Sequence, residues 1–86
     1  MTLKTQPEGE IFGRRLRELR LERNLTQDAL AQIVATSKPF ISDMERGVKV
    51  PSLTMVLRLA RALDCNVYEL VEIFDGPGSA VKRTKR

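Results

Sequence analysis

Ser37, Lys38, Ser42 and Asp43 place two hydroxyls, an ammonium and a carboxylate within the seven residues SKPFISD. These groups donate and accept hydrogen bonds and carry charge of both signs, but they lack a partner for covalent chemistry. The chain has no histidine and one cysteine, Cys65. The commonest general base is therefore missing, and with it any nucleophile–histidine pair. A single cysteine closes no intramolecular disulfide, and a Cys/His zinc site has no ligands to draw on. The sequence also shows no glycine-rich phosphate loop. No catalytic residue, metal or cofactor is assigned, and an enzyme is not the expected class. Cys65 is read as a small residue near a helix end. The expected chemistry is recognition through hydrogen bonds and charge.

Two helices must position those groups. Thr26–Gly47, TQDALAQIVATSKPFISDMERG, reads as two short helices joined by a tight turn. Thr26 can cap the first of them, and Asp28 suits its positive N-terminal end. Leu30, Ala31, Ile33 and Val34 supply its apolar residues before Ala35-Thr36-Ser37 interrupts the pattern. Ser37 can cap the next helix, and Pro39 is tolerated in a first turn where N–H groups are unpaired anyway. Ile41 and Met44 face inward, and Gly47 can stop the helix in a left-handed conformation. Ser37, Lys38, Pro39, Ser42 and Asp43 are left facing outward.

A helix-turn-helix presents such a helix to a DNA major groove, where each base pair shows a distinct donor and acceptor pattern. Lys38 can donate to guanine O6 or N7. Asp43 can accept from cytosine N4, or it can orient Lys38 or an arginine. Ser42 can bond several bases, whereas Pro39 can only touch a thymine methyl or shape the helix start. Phe40 either packs at the helix start or lies against the sugar–phosphate backbone. Thr26 and Gln27, at a helix N-terminus, suit a phosphate. Arg46 and Lys49, just past the reading helix, suit a clamp on the same strand.

The remaining elements form a scaffold. A first helix is expected over about Glu10–Arg23, with Phe12, Leu16 and Leu19 on one face and Asn24 left-handed at its end. After the link Val48–Pro51, Ser52 caps a fourth helix ending near Leu63, with Leu53, Val56, Leu57, Ala60 and Leu63 as an inward stripe. Asp64-Cys65-Asn66 breaks it, and a fifth helix runs from Val67 to about Phe74. The expected organisation is a flexible arm over 1–9, a helix-turn-helix DNA-binding domain over 10–75 and a disordered basic tail over 76–86. Of the net charge of +4, four positives lie in Lys82, Arg83, Lys85 and Arg86. The body is therefore neutral, and attraction to nucleic acid depends on where its charges sit. The tail either adds sequence-independent phosphate attraction, lies in a minor groove, or is a solubilising end.

Three segments in order, FGRRLRELRLERNLTQDALA, SKPFISDMERG and VPSLTMVLRLARALDCNVYELV, resemble the lambdoid-phage repressor and Cro, or XRE-like, family over Phe12–Val71. The resemblance implies an all-α, five-helix repressor-like domain whose second and third helices read DNA. It also implies a partly buried ion pair between Arg20 and Glu45, tying the first helix to the third. Gln27 matches the family's glutamine position, from which it can brace the third helix. Well-known phage members carry glutamines where this chain has Lys38 and Pro39, so their operator preferences do not carry over. The short length and final helix look similar to restriction–modification controllers and small antitoxins.

The expected function is sequence-specific regulation of transcription on double-stranded DNA, as repressor or autoregulator. Val67, Tyr68, Val71, Ile73 and Phe74 exceed what one face of a short helix needs and are the expected homodimer interface. A dimer reads a palindromic operator. The alternative is an antitoxin-type interaction module that neutralises a protein partner. No apolar run is long enough to span a membrane. MTLKTQPEGE lacks the basic-then-apolar order of a secretory leader. The expected setting is cytoplasmic, at the nucleoid.

Overall fold

A computed structural model describes residues 7–71. Five helices follow one another: α1 (Pro7–Glu22), α2 (Gln27–Ile33), α3 (Lys38–Glu45), α4 (Leu53–Ala62) and α5 (Val67–Val71). No strand occurs among the described residues. The all-α, five-helix repressor-like fold is the one the sequence implies.

Local side chains set the helix starts. Oγ1 of Thr26 accepts from the Ala29 amide at 2.9 Å, Oγ of Ser37 from Phe40 at 3.2 Å, and Oγ of Ser52 from Met55 at 3.1 Å. Asn66, read from sequence only as a breaker, caps α5 by accepting from the Glu69 amide at 2.9 Å. Each cap satisfies one N–H that has no intrahelical acceptor.

The helix ends share one geometry. Asn24, Ala35, Gly47 and Asp64 follow α1 to α4 with φ of 58°, 60°, 80° and 53°. Behind them the amides of Leu25, Thr36, Val48 and Cys65 donate to the carbonyls of Arg20, Ala31, Asp43 and Ala60 at 2.8–3.1 Å. This six-to-one bond over a left-handed residue is the Schellman motif. Asn24 and Gly47 are where the sequence places such residues. Ala35 and Asp64 are not, and the repeated geometry imposes the conformation on them.

The core gathers Leu16, Leu19, Leu30, Ile41, Met44, Leu59, Leu63 and Leu70, all fully buried. Each contributes about 1.5–3 kcal/mol over an exposed side chain. α1 packs on α3 and α5, α2 on α3, and α4 on α5. The α1 and α3 backbones nearly touch: a Cβ on Gly13 would lie 2.3 Å from the Met44 carbonyl oxygen. Only glycine fits that crossing.

Three expectations need correction. The first helix starts at Pro7, so residues 7–9 are not arm. Proline suits a first helical turn, and Gly9 is buried: a Cβ added there would lie 2.9 Å from the Gly47 carbonyl oxygen. In α4, Leu53 and Leu57 do not face inward: they are 72% and 47% exposed. The buried arc of α4 turns toward Leu59, absent from the expected stripe, which leaves Leu57 past its edge and Leu53 at the open helix start. In α5, Val67 and Val71 are half-buried and pack against the core, whereas Tyr68 is exposed. Ile73, Phe74, residues 1–6 of the arm and the tail lie outside the described residues.

Candidate nucleic-acid interface

The turn between α2 and α3 spans residues 34–37, the length expected of a helix-turn-helix. Ile41 and Met44 anchor the inner face of α3. With that face fixed, Ser37, Lys38 and Pro39 stand exposed at its start, while Ser42 and Asp43 are half-buried along its outer edge. Pro39 occupies the first turn, where its missing N–H leaves no bond unmade. Phe40 is half-buried and packs against the core, which decides between its two expected positions.

A buried ionic network sets the angle of α3. Arg20 donates from Nε to Glu45 Oε2 at 2.6 Å and from NH2 to Glu45 Oε1 at 3.1 Å. Its NH1 donates to the Leu25 carbonyl at 2.7 Å. Gln27 completes the set by donating from Nε2 to Glu45 Oε1 at 3.0 Å. The Arg20 and Glu45 side chains are 8% and 3% exposed. A two-pronged guanidinium–carboxylate pair fixes orientation as well as distance. Here it joins α1, the start of α2 and the end of α3. The Gln27 side chain is committed to this brace, which leaves Thr26 and Asp28 as the exposed residues at the start of α2.

Asp43 meets two cations. Arg46 NH2 donates to Oδ1, and Lys49 Nζ lies 3.9 Å from Oδ2. Of the roles open to Asp43 in the sequence, the structure shows it turned to an arginine. Arg46 and Lys49 nevertheless remain more than half exposed. The four candidate phosphate contacts thus flank α3 on either side in sequence, Thr26 and Gln27 before it, Arg46 and Lys49 after it.

Two further arginines, given no such role from sequence, tie α1 and its end to α5 and α4. Arg15 Nε donates to the Glu69 carbonyl at 2.8 Å, and Arg23 Nε to the Leu63 carbonyl at 2.7 Å. Both reach carbonyls more than 35 residues away, at α5 and at the end of α4. Nothing local in the sequence marks such pairings.

Cys65 is half-buried, and burial raises its thiol pKa, with the Glu69 carboxylate adding to the effect. A raised thiol pKa gives a poor nucleophile at neutral pH. A cleft of about 440 Å³ lies between the α2–α3 turn and α4, lined by Ile33, Val34, Ala35, Arg58, Arg61 and Ala62. That lining holds neither a nucleophile nor a general base. No group of three or more His, Cys, Asp or Glu side chains among the described residues is arranged to hold a metal. No described helix is long and apolar enough to cross a membrane.

Comparison with known proteins agrees with this geometry. Residues 11–72 match the helix-turn-helix domain family. The HTH-type transcriptional regulator DdrOP3 of Deinococcus deserti is 43% identical over 58 residues, 67% of this chain. The matched stretch spans only 45% of that relative's length. Among solved structures, the restriction-modification controller protein C.AhdI from Aeromonas hydrophila superposes with a TM-score of 0.72 at 40% identity, covering 73% of this chain and 91% of the controller. The biofilm regulator SinR, solved in complex with DNA, superposes with a TM-score of 0.66 at 26% identity, covering 70% of this chain and 97% of SinR.

Proposed function

The chain belongs to the helix-turn-helix domain family, and on that premise we propose that it regulates transcription by reading duplex DNA through α3 as a homodimer. The observation that carries this reading is the buried Arg20–Glu45–Gln27 network. It locks α3 so that Ser37, Lys38 and Pro39 stand exposed at its leading end. A rigidly held helix with a free polar edge is what base readout requires.

In this reading Lys38 donates to guanine O6 or N7, Ser37 and Ser42 add adaptable hydroxyl contacts, and Pro39 meets a thymine methyl. The Asp43 carboxylate accepts from a cytosine amino group once it leaves Arg46. Backbone amides at the start of α2, beside the Thr26 cap, hold one phosphate. Arg46 and Lys49 hold phosphates on the other side. The SinR complex with DNA supports the DNA-binding reading, and the name of the Deinococcus relative supports a role in transcription.

The proposed dimer uses α4 and α5. Leu53 and Leu57 lie one turn apart on α4, and both are exposed, as are Val50 in the preceding link and Tyr68 on α5. Burying such residues against a second copy removes apolar surface from water. A two-fold dimer presents two α3 helices to half-sites about 34 Å apart. Its occupancy of a promoter excludes other proteins, so the proposed regulation is repression or autoregulation, on DNA in the nucleoid.

Selection of bound duplexes from a random pool at near-physiological salt tests this. The expected result is a palindromic consensus with half-sites one helical turn apart. Replacing Lys38 with Ala should then relax the preference at one position of each half-site, at about 1–3 kcal/mol. No enrichment, with only weak salt-sensitive binding, would overturn it in favour of the protein-partner reading.

A further inference from the structure

We propose that Asp43 is a specificity filter: its carboxylate holds Arg46 and Lys49 as a phosphate would, and releases them fully only on a duplex that offers it a donor in exchange. The proposal rests on the DNA-binding reading above and adds a mechanism by which that surface rejects wrong sequences.

The geometry is built from one residue's two ends. The Asp43 carboxylate is paired with Arg46 through Oδ1 and lies 3.9 Å from Lys49 Nζ through Oδ2. Its backbone carbonyl accepts from the amides of Val48 at 2.9 Å and Lys49 at 3.2 Å. Gly47, with φ of 80°, turns the chain back to make this possible. Lys49 is therefore held beside Asp43 by main chain as well as by charge. The carboxylate is the deeper member, 23% exposed, while the Arg46 and Lys49 side chains are 58% and 55% exposed. The two cations best placed for a phosphate are thus already turned toward an anion behind them.

A phosphate approaching Arg46 and Lys49 competes with that anion and is repelled by it. Exposed ion pairs are weak, so the clasp can be exchanged rather than being permanent. A cytosine N4 amino group in the major groove is a donor that an Asp carboxylate accepts. Where one is present, the carboxylate is satisfied by the base and both cations are free for phosphate. Where none is present, either the clasp persists or the carboxylate is left unpaired against the duplex. Base recognition and backbone clamping are thereby coupled through one side chain.

The test is Asp43→Asn, which keeps the side chain's shape, removes its charge and leaves helix propensity nearly unchanged. Binding of the full chain is measured by fluorescence anisotropy over a salt series, on a random-sequence duplex and on the selected duplex. Affinity for the random duplex should rise roughly three- to tenfold. Its salt slope should steepen by about one to two as the two cations engage phosphates. The ratio of selected to random affinity should fall. In an Arg46→Ala/Lys49→Ala background the same Asp43→Asn change should raise random-duplex affinity much less and leave the salt slope unchanged, because only the direct repulsion of phosphate is then relieved. An unchanged or lower random-duplex affinity in a folded Asp43→Asn protein would overturn the filter. So would a gain of the same size in the double-alanine background, because it would then owe nothing to release of the two cations. If the wild-type protein binds no duplex at low salt, the DNA-binding reading fails and the filter with it.

Discussion

Arg20 of α1 and Glu45 of α3 meet prong to prong, with Nε–Oε2 at 2.6 Å and NH2–Oε1 at 3.1 Å, although 25 residues separate them in the chain. Every nitrogen of the guanidinium has an acceptor, because NH1 takes the Leu25 carbonyl. The carboxylate takes a third donor from Gln27. A buried ion pair is weak evidence for stability, because desolvation offsets most of the attraction. Its value here is directional. It joins α1 to the last residue of α3, and it borrows the first residue of α2 to do so.

Glu45→Ala should therefore damage both stability and binding. It strands a guanidinium that is 8% exposed and leaves the Gln27 amide without its acceptor. Removing one member of a buried pair costs about 3–5 kcal/mol. A domain of this size has a total stability of only about 5–15 kcal/mol. Thermal melting monitored by circular dichroism should show a large drop in Tm, and a melt matching wild type would overturn the role given to the pair. Arg20→Met/Glu45→Leu, which removes both charges, should recover much of the stability but not the DNA affinity.

Ala35→Gly should stabilise the protein. Ala35 holds φ of 60° at the end of α2, and the bond from the Thr36 amide to the Ala31 carbonyl at 2.8 Å depends on that conformation. A left-handed alanine costs about 1–2 kcal/mol relative to its right-handed state. Glycine avoids this but has more freedom to lose on folding, which returns part of the gain. The net expectation is about 1 kcal/mol, a rise in Tm of roughly 4–8 °C for a domain of this length. A lower Tm would contradict the left-handed turn.

Cys65 should react slowly with iodoacetamide in the folded protein and at the ordinary rate in urea. Burial is the main cause of its raised pKa, and the nearby Glu69 carboxylate adds to it. The same shift has a consequence for stability. A thiol whose folded pKa exceeds its unfolded value contributes stability fully below the unfolded pKa. That contribution is lost as pH rises through the folded value. Wild type should therefore lose more stability than Cys65→Ala between neutral pH and about pH 10. Parallel curves for the two proteins would refute this.

What was legible in the sequence is what is local. Thr26, Ser37 and Ser52 bond to amides three residues ahead, so each cap could be read from its own few residues. The α1 and α3 cores followed from spacing. The Arg20–Glu45 pair was reached only through resemblance, since among 15 basic and 11 acidic residues nothing local selects those two. The contacts of Arg15 and Arg23 with distant carbonyls were invisible for the same reason. Ala35 and Asp64 are the exception among local features, because the local six-to-one bond that closes each Schellman turn imposes a left-handed conformation that neither residue type announces. The phase of α4 was misread because leucines at 53, 57, 59 and 63 support more than one stripe, and only packing against the other helices chooses between them. The start of α1 was misread because Pro7 and Gly9 look like loop residues until the contact with Gly47 is known.

The exposed leucines of α4 allow a sharp test of the proposed dimer. Had Leu53 and Leu57 been core residues, a charge at either would have unfolded the domain. At 72% and 47% exposure, each should accept glutamate with little loss of monomer stability. In a dimer packed through α4, however, Leu53→Glu/Leu57→Glu sets four carboxylates against one another across the two-fold axis, and like charges brought together at an interface are strongly unfavourable. Sedimentation velocity at tens of micromolar should show wild type as a dimer and the double variant as a monomer with unchanged circular dichroism. Affinity for a palindromic duplex should fall steeply, while affinity for a single half-site changes little, because only the linkage between the two reading helices is lost. Tyr68→Glu on α5 should act in the same direction if the interface extends there. A monomeric wild type, or a double variant that remains dimeric, would exclude α4 as the interface. A double variant that unfolds would show that Leu53 and Leu57 are covered within the monomer itself.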